Sequence, residues 1–308
     1  MDLVVSCTND PQNGGIYRVD MDTGIVERCY HSQCMGIARF GSFLVAASQS
    51  PGRSPRYTRE GRISHSIVCL DEEFDIVSIA CVDELGMGDL HDAVVHNGRL
   101  WVVDTLGNRI VGFSIRKKRV GLRLGHSHSL VPDLEWIDPV SREPDSSHLN
   151  SICFHRGRIL VAAFGRFERY REYEGRGYAD GCILDVTDAI RPFGSSRRTG
   201  DERAILEKLA DPHSVMSLNG ELWFTEAKRR RVMRGSEVVV ELSQGYVRGL
   251  ACDGKSLYVG RSLSRHGSSE PESQCCVVRV AVNSGRILGS VALSAREVYA
   301  VGVGTPRA

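Results

Sequence analysis

One short motif recurs along this chain. It is a polar residue, a brief apolar stretch, a turn carrying glycine, then a second apolar stretch. Its copies span residues 34–45, 91–102, 150–161, 213–224 and 248–259, with turn glycines Gly41, Gly98, Gly157, Gly220 and Gly254. The fullest copy runs on to residue 115 and reads as three strands, at 93–95, 99–104 and 109–115, joined by Asn97-Gly98 and Leu106-Gly107-Asn108. Asn-Gly between apolar runs is a strong hairpin signal, because such turns need positive φ. The copies begin 57, 59, 63 and 35 residues apart. A period of tens of residues with several strands per unit predicts a β-propeller.

A sixth unit emerges when the termini are joined. Residues 298–304 read as an inner strand without partners, and 2–7, 15–20 and 25–30 as three strands without an inner one. The expected fold is all-β. It is a six-bladed β-propeller closed by N-terminal strands pairing with the C-terminal inner strand, which leaves no exposed edge at the seam. Residues 1–308 form a single domain in this reading, with the sixth blade split between 1–32 and 297–308.

Composition narrows the function. A net charge of +1 argues against a nucleic-acid surface, which carries a basic excess. The start, MDLVVSCTND, does not read as a leader, and no apolar run is long enough to span a bilayer. The ten cysteines are scattered, with Cys69, Cys81, Cys153 and Cys252 inside strand patterns. Cys275-Cys276 are adjacent and have no zinc-like spacing. Unpaired thiols in a reducing, cytoplasmic setting are the expectation.

Three insertions, 49–65, 165–181 and 261–274, fall between the second and third strands of blades 1, 3 and 5. In a propeller these loops gather over one mouth of the central channel. They carry many Arg and Tyr residues, among them Arg166 and Tyr170, candidates for contact with an anionic substrate. Two further segments complete the reading. Blade 2 ends near Leu124 and is followed by a polar connection, while 201–210 reads as a short surface helix from apolar residues at 205, 206 and 209. The strand 182–186 closes blade 3.

The first residue of each motif copy is Cys34, His91, Asn150, His213 and Arg248. A packing column would read Val, Ile or Leu. This one reads as ligands and hydrogen-bonding groups placed where inner strands begin, at the channel mouth. His148 lies two residues before Asn150 and reaches the same face by the strand period. His91, His148 and His213 form a candidate site for a divalent metal, Zn, Fe or Mn, with an open position for a substrate or water. Arg248 is placed to hold a carboxylate or phosphate and Asn150 to contact substrate. Asp92 is a candidate base or orienting group, and Cys34 a candidate ligand or nucleophile.

The blocks His91-Asp92, His148-Leu149-Asn150, Pro212-His213-Ser214 and Arg248-Gly249-Leu250 resemble, in this order, those of a bacterial β-propeller family described by its fold. More loosely, the arrangement is similar to six-bladed propeller metalloenzymes such as the peptidyl-hydroxyglycine amidating lyase. That likeness implies a metal held by His91, His148 and His213 from different blades.

The leading expectation is a metal-dependent lyase or hydrolase acting on a small anionic substrate. The alternative is a non-catalytic propeller that binds a protein or small ligand through the 49–65, 165–181 and 261–274 loops.

Overall fold

The computed structural model describes residues 1–49, 65–116, 122–124, 128–175, 179–195, 200–263 and 274–304. Six antiparallel sheets form the blades of a β-propeller. Blade 1 is Cys34–Phe40, Phe43–Gln49, His65–Leu70 and Ile76–Cys81. Blade 3 is Leu149–His155, Arg158–Ala163, Gly181–Asp185 and Arg203–Leu209. Blade 4 is Pro212–Leu218, Glu221–Glu226, Arg231–Arg234 and Glu237–Glu241. Blade 5 is Tyr246–Cys252, Ser256–Ser262, Cys276–Ala281 and Ile287–Ala292.

The sixth blade closes as expected. Glu297–Val303 is its inner strand and pairs with Asp2–Thr8, followed by Gly15–Asp20 and Val26–Tyr30. The six inner strands then touch in a closed circuit, with Glu297–Val303 lying beside Cys34–Phe40.

Second strands are the most apolar because both faces of a blade are covered by its neighbours. Residues 44–47, 100–103, 159–163 and 257–259 are all buried. The hydrophobic core is correspondingly divided into six clusters, each drawn from two adjacent blades. None of the ten cysteines is in a disulfide, and seven are buried.

Two segments differ from the sequence reading. Residues 201–210 supply no helix: Arg203–Leu209 is the outer strand of blade 3 and pairs with Gly181–Asp185. Ladder pairing outweighs local helix propensity here, since Gly181–Asp185 would otherwise keep an unpaired edge. That third strand therefore does not close the blade.

Blade 2 also extends past Leu124. Its inner strands are Leu90–His96, Arg99–Asp104 and Arg109–Arg116. The next is the ten-residue strand His128–Ile137, within the segment expected to be a polar connection. Leu130 packs towards blade 1 and Leu134 and Trp136 towards blade 3, the face changing at a register shift beside Pro132, where a missing N–H is tolerated. Leu122–Leu124 and Arg191–Pro192 add to its outer side.

Blades approach closely at inner-strand glycines. A Cβ on Gly36 would lie 2.4 Å from the Asp92 Cα, whereas one on Gly289 would meet nothing within 4 Å. Gly36→Ala is therefore expected to cost about 1–3 kcal/mol. Gly289→Ala should be near neutral, and urea unfolding of both variants checks the contrast.

Candidate functional site

In all six sheets the pairing of the first strand with the second slips near the start of the inner strand. A β-bulge of this kind bends the strand and re-aims a side chain. The residues at or beside the slip are Met35, His91, Asn150, His213, Arg248 and Tyr299. They form one ring around the channel. Two residues earlier along the chain stand Gln33, Asp89, His148 and Asp211, each just before its strand, and Tyr246 and Glu297, each the first residue of its strand, and these make a second tier above it. Asp89, His148 and Asp211 reach their places with left-handed backbones, φ 52°, 47° and 50°. Asp and His are among the side chains found most often in that region.

Hydrogen bonds between the tiers set the histidine tautomers. The Nδ1–H of His91 donates to the Asp89 carbonyl at 2.8 Å, and that of His213 to the Asp211 carbonyl at 2.9 Å. Carbonyls only accept, so each Nε2 carries a lone pair. His148 Nδ1 lies 2.8 Å from Asp145 Oδ1 and 3.0 Å from the Tyr173 hydroxyl. Burial pushes His91 down to about 4, against the pull of the Asp89 carboxylate. Burial, then the Arg248 charge, hold His213 well below the ordinary histidine value. Both are neutral at pH 7.

Arg248 is buried and bonded to the Glu297 carboxylate. Burial is the largest single influence and opposes its charge, but Glu297, Tyr246 and Tyr299 together outweigh it and raise its pKa. Its guanidinium stands over the Tyr246 and Tyr299 rings, 4.6 and 5.3 Å from their centroids. Asp145 accepts from Arg171 at 2.7 Å. Burial works to raise that carboxyl, yet the bonds from His148 and Arg171 hold it below the ordinary value.

Two cavities flank the ring. The outer one, about 430 Å³, is lined by His148, Phe164, Arg171, Tyr173, Glu174, Asp211, Lys228, Tyr246 and Arg248. The inner one, about 220 Å³, lies in the bore and takes in Asp92, Asn150, His213 and Tyr299. Arg248 Nε, His213 Nε2 and the Tyr299 hydroxyl are buried with no hydrogen-bond partner among the described residues. Such groups cost on the order of 1–3 kcal/mol each when left unmade.

The predicted residues are partly brought together. His91 and His148 are neighbours, with ring centroids 4.8 Å apart. The Phe164 ring touches both His148, at 4.3 Å, and His213, at 4.9 Å. The tautomers suit a divalent ion, but the spacing does not. Among the described residues no three His, Cys, Asp or Glu side chains stand together as a ligand group.

Cys34 does not join the ring. Gly41 is the first residue of its turn where Gly98 is the second, so Met35 rather than Cys34 takes the place of His91, and Cys34 packs in the core between blades 6 and 1. Burial pushes its thiol up to about 12. Asp92 lies in the bore and accepts the Ile152 N–H at 3.0 Å, tying blade 2 to blade 3. Asn150 Oδ1 accepts from Ser151 Oγ at 3.1 Å.

Arg166 and Tyr170 stay outside both cavities. Arg166 pairs with Asp138 at 3.0 Å and Glu202 at 2.5 Å, and Tyr170 is 56% exposed. Of the loops, 50–64, 176–178 and 264–273 lie outside the described residues. The 165–181 loop does supply Arg171 and Tyr173.

Tyr299, Tyr246 and Glu297 were not singled out in the sequence. Extending the motif column into 298–304, and reading two residues before each copy, finds all three. Lys228 has no such signal.

No protein-family model matches the chain, and no curated protein matches it in sequence. Solved structures do match in fold. A chain of the nidogen/laminin complex is 11% identical, with a TM-score of 0.59 and 97% of each chain covered. A Thermus thermophilus protein described as an oxidoreductase (glucose dehydrogenase) is 15% identical, TM-score 0.54, covering 90% of this chain and 92% of its own. A proposed 6-phosphogluconolactonase from Bacteroides fragilis is 12% identical, TM-score 0.50, covering 94% and 81%. At these identities the likeness is one of fold alone. No helix among the described residues is long and apolar enough to cross a membrane.

Asp92 makes a pH prediction. Burial raises its carboxyl to about 7, against the two backbone N–H groups that lower it. Between the unfolded value of 3.8 and about 7, only the folded state keeps the proton. That contribution is full at low pH and is lost as pH rises through 7, at up to about 1.4 kcal/mol per pH unit. His91 acts oppositely, losing stability as pH falls from 6.5 towards 4, and the depressed His213 acts in the same direction. The stability of the native chain relative to Asp92→Asn should therefore fall steadily from pH 4 to 7, as measured by denaturant unfolding. A pH-independent difference would contradict the raised carboxyl.

Proposed function

We propose that this chain is an enzyme acting on a small anionic substrate in the outer cavity, by hydrolysis or by elimination. The observation that supports it is the wall itself. Arg171, Lys228 and Arg248 bring three cationic side chains to one cavity of about 430 Å³, each held in place by an ion pair, with Asp145, Asp211 and Glu297 respectively. Arg248 faces it with a guanidinium that is buried, held by Glu297, and left with an unpartnered Nε. A carboxylate or phosphate docked there makes charge-assisted bonds in a region screened from water. Phe164, Tyr173 and Tyr246 offer rings to the body of the substrate. His148, oriented by Asp145 and Tyr173, is the wall's group for moving a proton.

A divalent ion, Zn, Fe or Mn, is the second reading, favoured by the fixed histidine tautomers and the unpartnered Nε2 of His213. His91, His148 and His213 would hold it. Such an ion supplies Lewis-acid polarisation of a carbonyl and a lowered pKa for bound water. The spacing of the three rings is the observation against it. Some fold neighbours carry the names of enzymes of sugar and lactone chemistry, which is compatible with the hydrolytic reading and lends no residue to it.

Two measurements test the proposal. Elemental mass spectrometry of protein without a histidine tag reads the metal; about one equivalent supports the second reading. A panel of small carboxylates, phosphate esters and lactones, assayed by turnover and thermal shift, reads the substrate. The Arg248→Met/Glu297→Gln double variant removes both buried charges together and so avoids a lone one. It should keep the fold and raise KM about tenfold or more. Absence of both turnover and anion-dependent stabilisation would sink the enzyme reading and favour a binding propeller that works through its loops.

A further inference from the structure

The bore beneath the ring is not used by the proposed reaction. No residue lining the inner cavity also lines the outer one. Its upper end is polar, with Asn150, His213 and Tyr299. Its lower end is apolar, with Ile37, Val94, Met216 and Leu250. Ile37, Val94 and Met216 lie further along their inner strands and are only partly buried.

Two groups at the polar end point to a ligand. His213 is 2% exposed and Tyr299 5% exposed. The His213 Nε2 and the Tyr299 hydroxyl have no partner among the described residues. Because His213 Nδ1–H is committed to the Asp211 carbonyl, its Nε2 can only accept. The Tyr299 O–H needs an acceptor. A single hydroxyl answers both, donating to Nε2 and accepting from Tyr299.

Charge argues for a neutral ligand. No Lys or Arg lines the bore to pair an anion, and its one carboxyl, Asp92, already accepts the Ala93 and Ile152 N–H groups, so neither ion finds a free counter-charge. Size sets the scale. A buried cavity of about 150 Å³ accepts benzene, and this one is larger, about 220 Å³.

We infer that the bore is a second binding site, taking a small uncharged molecule with one hydroxyl set against His213 and Tyr299 and an apolar body below. The site is independent of the outer cavity.

Benzyl alcohol and toluene are the probes, one with the hydroxyl and one without. Their affinities for the full chain are read by ligand-detected NMR, and the His213 Nε2 resonance by long-range ¹H–¹⁵N correlation. Benzyl alcohol should bind about tenfold tighter than toluene and move the Nε2 resonance. Tyr299→Phe deletes an oxygen that has no hydrogen-bond partner among the described residues, so its unfolding midpoint should not fall. It should bring the two affinities together by weakening benzyl alcohol and leaving toluene unchanged. Inorganic phosphate, directed at the outer cavity, should displace neither. The inference is overturned if the probes bind equally to the native chain, or if Tyr299→Phe keeps the preference. It is equally overturned if phosphate competes, or if neither probe binds and the bore holds water alone.

Discussion

The pairing of Asp2–Thr8 with Glu297–Val303 is the contact on which the rest depends. Joining chain ends this far apart is cheap once the intervening blades exist, because closure entropy grows only with the logarithm of loop length. The seam does more than remove an edge. Glu297 sits at its start, bonded to Asn9 at 2.7 Å and to Arg248 of blade 5. Without the seam the Arg248 charge would lose that carboxylate. An uncompensated buried charge costs about 3–5 kcal/mol. Ring closure and the electrostatics of the channel mouth are thus one event.

The bulges give the ring its chemistry. A regular inner strand would alternate its side chains between the two neighbouring blades. The slip lets one residue per blade leave that alternation and face the axis. Polar side chains there bury with few partners, and the fold tolerates them because the six inter-blade cores carry the stability. Neighbouring blades are also tied directly. The Ile152 N–H donates to Asp92, and the Gly249 N–H donates to Ser214 Oγ at 2.8 Å. These bonds hold the inner strands at the separation that keeps the bore open.

Much of the architecture was legible because strand and turn signals are local. Asn97-Gly98 takes the positive φ its residue types prefer, 49° and 70°. The turn glycines marked five inner hairpins, and the leftover strands at the two ends marked the sixth. Arg203–Leu209 was not legible, since two register shifts in its pairing break the alternation a one-sided strand would show, and its partner lies outside its own window. His128–Ile137 was missed for a related reason: its polar residues and Pro132 resemble a connection until Arg109–Arg116 is placed beside it.

The sequence by itself determined the number of blades, the way the ring closes, and the polar column at the starts of the inner strands. These follow from turn chemistry and apolar patterning, which act over a few residues. Tertiary structure alone decided which column members face the axis. Gly41 opens its turn where Gly98 ends its own, so the first copy is offset by one and Met35 rather than Cys34 joins the ring, and Tyr299 completes it. It also decided that Arg248 meets Glu297, that Phe164 lies against both His148 and His213, and that the channel is split into an outer and an inner cavity. Those are contacts between blades, set by how sheets pack around a common axis, and no stretch of sequence holds both partners.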